Sequence, residues 1–208
     1  MLKYCSSSVN SNSSTPSLFP LTPVIKVHQP ANLGKADLAA TKRYFSDTIN
    51  GMKTVKPTIT ICSSAAFYRQ AVDIQDQLDK LGCEVIVPIT ATRMKAAGDF
   101  DVSHYKTWFA DANDYHKKAQ LMRTHFAEVE KADAILVLNY EKHGVQNYIG
   151  GNVLMEMSLA FWLNKPIFII NEIPEASAFE EEIRGMEPIL LHGDAGALPQ
   201  LYKERLNV

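Results

Sequence analysis

The chain has 208 residues, 46% of them hydrophobic and 21% charged, with 21 Lys and Arg against 23 Asp and Glu. That composition suits one globular domain of about 150 residues plus an appendage, and a formal charge of −2 argues against the basic face that nucleic-acid binding requires. No stretch reaches the roughly 18–20 continuous apolar residues of a membrane span, so neither nucleic acid nor membrane is an expected partner.

Residues 1–56 stand apart. Met1 to Ala36 contain no Asp or Glu, Ser and Thr recur from Ser6 to Thr22, and Pro16, Pro20, Pro23 and Pro30 interrupt any regular pattern. Such a segment buries too little apolar surface to offset its ordering entropy, so a Ser/Pro-rich flexible arm is expected. A short helix fits residues 36–50, where Leu38, Tyr44, Phe45 and Ile49 share a face. An acid-free, Ser-rich start also resembles an organellar transit peptide, although no Arg precedes Arg43. Cys5, Cys62 and Cys83 are odd in number and contain no CxxC. A reducing compartment, and so a cytoplasmic location, is the default.

From Pro57 apolar runs alternate with helical stretches. Residues 58–62 read as a strand, followed by a helix with Val72, Ile74, Leu78 and Leu81 on one stripe, closed by Gly82. Residues 84–87 form a second strand stopped by Pro88, and a polar stretch without assigned structure runs to about Ala112. A helix from Asn113 or Asp114 to Lys131 precedes residues 134–138, a nearly pure apolar run typical of a strand covered on both faces. Gly150-Gly151-Asn152 opens a helix to Leu163, residues 166–170 form the fourth strand, residues 189–191 the fifth, and a C-terminal helix follows. Strands alternating with helices predict a three-layer α/β domain over 57–208, flavodoxin-like or Rossmann-like, with a five-stranded parallel sheet. Ligands of such sheets bind beyond the carboxyl ends of the strands.

The segment from Ala132 to Ile170 carries the most chemistry. Its two glycines and Asn152 leave helix N–H groups for an anion, and Glu156 follows among Leu154, Met157, Leu159, Phe161 and Trp162. A carboxylate there is costly to bury unpaired. It either faces a cleft or occupies the helix's one wet side. Phe161-Trp162 is read either as core or as a self-association surface.

Other segments carry weaker signals. Cys62 followed by Arg69 is one residue too long for a phosphatase loop, and Cys62 reads as a small buried filler. His104, His116, His125 and His143 form no i, i+4 pair or HExxH, so no metal ligand is assigned. Neither GxGxxG after the first strand nor GxxxxGK[ST] occurs, so no nucleotide cofactor is expected. Asp133 reads as a helix terminator or a loop brace, with a role in the site as the alternative, His143-Gly144 as a solvated loop, and the Glu180–Glu182 run as a solvated first turn with Phe179 and Ile183 inward.

The "AD" strand, Gly-containing loop, Glu-x-x-x-Ala helix and "NKPI" together resemble the nucleoside 2-deoxyribosyltransferase-like family, which includes deoxynucleoside monophosphate N-glycosidases. The resemblance spans roughly 57–192 and is strongest over 123–170. It implies a homo-oligomeric, cofactor-free enzyme that cleaves or exchanges the N-glycosidic bond of a nucleoside or nucleoside 5′-monophosphate, with Glu156 as nucleophile. It places the sugar or its phosphate at Ser63 and Ser64, with Phe67 beside them, and at the amides of Gly150, Gly151 and Asn152. Asn139 and Tyr148 complete the expected binding set. Two positions depart from the family. His125 stands where members commonly have an aspartate, and Gly150 where many have an acidic residue. A histidine can transfer protons near neutral pH, so His125 is expected as the proton donor. The alternative is a non-catalytic nucleotide-binding module on the same fold.

Overall fold

A computed structural model describes residues 56–175 and 177–206. The expectations for the N-terminal segment, including its helix over 36–50, lie outside the described residues.

Five strands, β1 (Thr58–Ser63), β2 (Glu84–Ile86), β3 (Ala134–Leu138), β4 (Ile167–Ile169) and β5 (Ile189–Leu190), form one sheet in the order β2-β1-β3-β4-β5. All four pairings are parallel. The helices are α1 (Tyr68–Lys80), α2 (Ile89–Ala97), α3 (Tyr115–Lys131), α4 (Gly151–Trp162), α5 (Glu180–Gly185) and α6 (Leu198–Leu206). This is a flavodoxin-like α/β fold. Among the described residues no helix is long and apolar enough to cross a membrane.

The period of two along each strand divides the core. Ile59, Ile61, Leu136, Leu138 and Phe168 face the side covered by α1, α2 and α6. Cys62, Ile135, Val137, Ile167 and Ile169 face the side covered by α3, α4 and α5, through Val129, Val153, Met157 and Ile183. Of the inward pair expected around the Glu180–Glu182 turn, Ile183 is buried and Phe179 is partly exposed. Asp133 is a brace, its Oδ2 accepting the Thr58 N–H at 2.8 Å, at the opposite end of the sheet from the strand carboxyl ends.

Two findings revise the sequence reading. The stretch after Pro88 contains α2, whose N-cap is Pro88 itself. Proline is compatible with the start of a helix as well as with the end of a strand. The helix closes at Gly98, whose φ of 66° is the left-handed cap geometry that glycine adopts without strain. Short 3₁₀ turns at Val102–His104, Thr107–Phe109 and Ala112–Asp114 then lead into α3. Phe161 and Trp162 are exposed (54% and 81%), which removes them from the core.

Candidate active site

The sheet order reverses direction between β1 and β3, and ligand sites of such folds lie at that switch point. A cavity of about 530 Å³ opens there. Ser63 and Ser64 follow β1, Val87 to Thr90 follow β2, α3 contributes Lys118 and His125, and Tyr148 to Glu156 lead into and along α4. The segment between α2 and α3 supplies Tyr105, Lys106 and Trp108 as the outer wall.

Glu156 lines this cavity and is only 3% exposed. Its Oε1 accepts from the Asn152 Nδ2 amide at 3.3 Å, one turn earlier on α4. Its Oε2 has no hydrogen-bond partner. Burial pushes its carboxyl up to about 7, against weaker opposing effects from the Cys62 thiol, Asn152 and the Lys118 charge. Burial and the Glu156 charge in turn push the Cys62 thiol well above its ordinary value, so it stays protonated. The same causes push the Tyr68 hydroxyl up.

His125, on α3, brings Nε2 to 3.8 Å from Glu156 Oε2. The distance is within ion-pair range, but the charges are not present. Burial depresses the imidazole to about 4, offset only partly by a hydrogen bond to the Ile61 backbone. The ring is therefore neutral at pH 7. Its expected role as proton donor is revised, because a neutral ring held through its other nitrogen offers a lone pair at Nε2.

Three lysines surround the cavity. Lys118 Nζ donates to Asn152 Oδ1 at 2.7 Å, and Lys142 Nζ donates to Ser64 Oγ at 3.1 Å and lies 4.6 Å from the Tyr148 ring centroid. Lys106 is lowered by burial first, then by the Lys142 and Lys118 charges. Among the described residues no carboxylate forms an ion pair with Lys106, Lys118 or Lys142. Sequence reading missed all three, since isolated lysines in loops and on a helix carry no spacing signal.

Of the expected binding residues, Ser63, Ser64, Tyr148, Gly150, Gly151 and Asn152 all line the cavity. Ser63 Oγ is buried without a partner. A Cβ at Gly150 would lie 2.8 Å from the Tyr148 Oη, so any larger residue there displaces the Tyr148 ring. Phe67 and Asn139 are not brought to the site. Phe67 is buried edge-on against Tyr140, with centroids 5.6 Å apart. Asn139 is fully buried and ties loops together: its Nδ2 donates to the Glu172 carbonyl at 2.7 Å, and its Oδ1 accepts the Asn171 N–H at 3.0 Å.

No protein-family model matches the chain, and no curated protein matches it. The site's own chemistry therefore carries the functional reading.

Proposed function

We propose that this protein is a relative of the nucleoside 2-deoxyribosyltransferases that cleaves or exchanges the N-glycosidic bond of a nucleoside or nucleoside 5′-monophosphate. The observation that carries this reading is Glu156: a buried carboxylate with one oxygen held by Asn152 and the other unpartnered, within a cavity at the strand ends. An ionised Oε2 attacks the anomeric carbon, the carbon–nitrogen bond breaks, and the base leaves with the electron pair and takes a proton from water. A second water, or an acceptor base, then attacks the same carbon and releases the carboxylate, as in retaining glycoside hydrolysis. The lone pair at His125 Nε2 accepts the proton of that water. Lys118, Lys142 and Ser64 provide charge and hydrogen bonds for a 5′-phosphate. A homo-oligomer is part of this proposal, with Phe161 and Trp162 exposed on α4 as the contact surface.

One observation favours a second reading. His125 is neutral and adjacent to Glu156 rather than across a sugar-sized gap, so the site lacks a charged acid at that position, as a nucleotide-binding module would. Free-base release from a panel of nucleosides and monophosphates, with and without acceptor base, separates the two. Release abolished in Glu156→Ala supports the enzyme. Binding of a nucleotide without release from any substrate supports the module.

A further inference from the structure

Cys62 at the end of β1, His125 on α3 and Glu156 on α4 come from three separate elements. Their sulfur, imidazole nitrogen and carboxylate oxygen atoms nevertheless lie within 4.8 Å of one another, and all three residues are buried. His125 Nε2 and Glu156 Oε2 are both without a hydrogen-bond partner. A buried imidazole nitrogen and a buried carboxyl oxygen that face each other with no hydrogen bond at either atom form an arrangement that folding disfavours, since each forfeits its solvation without return.

The surroundings of these donors match those of metal ligands. The Ile61 backbone holds the other side of the imidazole, and Asn152 holds the other carboxylate oxygen. Outer partners of this kind orient metal-binding histidines and carboxylates. Two donors bound tetrahedrally to zinc at 2.0–2.3 Å are separated by about 3.3–3.6 Å. The 3.8 Å between His125 and Glu156 is close to that, and the whole set lies within 4.8 Å, so capture of an ion requires the donors to close by up to about 1 Å. His125 and Glu156 also line the cavity, which leaves a fourth coordination position open to a small ligand.

We propose that Cys62, His125 and Glu156 form a three-ligand site for a zinc-class divalent transition metal ion. The sulfur–nitrogen–oxygen donor set selects zinc or cobalt over magnesium and calcium, which prefer oxygen donors alone. On binding, the Cys62 thiol releases its proton to solvent and the thiolate becomes a ligand. The site goes beyond the glycosidase reading and opposes it: an ion on Glu156 Oε2 occupies the attacking oxygen, so zinc and the reacting sugar exclude each other.

The test is a titration of the chelator-treated full chain with cobalt(II), read by absorption. One cobalt per chain with a thiolate-to-cobalt charge-transfer band is expected, displaced by zinc and not by magnesium. Cys62→Ser should abolish the band while circular dichroism shows the fold retained. Asn152→Ala keeps all three ligands but loosens Glu156, and should weaken cobalt binding by about 10–100-fold. Absence of the band in the parent protein, or its survival in Cys62→Ser, overturns the proposal. The spectrum is independent of base release, so failure of the metal site and failure of the glycosidase reading are told apart.

Discussion

Glu156 Oε2 and His125 Nε2 face each other across 3.8 Å with no hydrogen bond at either atom. Because burial moves the carboxyl up to about 7 and the imidazole down to about 4, neither is charged at pH 5 to 6. In the glycosidase proposed above, the attacking oxygen is available only when Glu156 ionises.

In metal-free protein, therefore, kcat/KM for base release should rise through about pH 7 and fall tenfold for each unit below it. His125 should add no break near 6.5, its ordinary range. A profile flat from pH 5 to 8 would exclude Glu156 ionisation as the controlling event.

The same burial has a stability consequence. Unfolded, Glu156 ionises near 4.5, whereas folded it ionises near 7, so the folded state binds more protons between those values and stability falls as pH rises through them. Glu156→Gln removes this penalty. At about 1.4 kcal/mol per pH unit the variant should gain roughly 3 kcal/mol at pH 8 and almost nothing at pH 4. His125 has the opposite sign, because its folded value is depressed: stability rises with pH between about 4 and 6.5, equally in both proteins. Thermal unfolding of metal-free wild type and variant at the two pH values measures the difference.

The lysines predict a split in kinetics. Lys142→Met and Lys118→Met should each raise KM for a 5′-monophosphate by about 10-fold or more, the loss of one charge-assisted hydrogen bond. Turnover of the corresponding nucleoside should change little in Lys142→Met. Equal losses on both substrates would mean that Lys142 serves the fold and not the phosphate.

Gly150→Ala brings a Cβ to 2.8 Å from the Tyr148 hydroxyl oxygen, which forces the ring to move. A loss of about 1–3 kcal/mol is expected, as for other overpacked sites. In a Tyr148→Ala background the same change should be nearly neutral. A double-mutant cycle by chemical unfolding reads the coupling directly.

The pattern of apolar runs and turn signals was enough to specify five parallel strands, the helix after the glycine pair, and the end of the sheet at which the cavity opens. It missed α2 because Pro88 is ambiguous between stopping a strand and starting a helix. Glu156 was legible because a carboxylate in an apolar helical stretch demands an explanation that local periodicity does not provide. Phe67 and Asn139 were misplaced for a related reason: a residue near a strand end can turn toward the cleft or toward the core, and only the packing of Tyr140 and of the Glu172 and Asn171 backbone chose the core.

By itself, then, the sequence determined the layers and the sheet, which follow from periods of two and 3.6 residues, and marked one carboxylate that breaks the apolar pattern of its helix. Only the tertiary structure decided which groups meet that carboxylate. Cys62 and Glu156 are 94 positions apart and come together because β1 and α4 flank the switch in strand order. The neutral state of His125 and the raised carboxyl of Glu156 are likewise collective, since desolvation depends on every element closing around the site and not on either residue's neighbours in the chain.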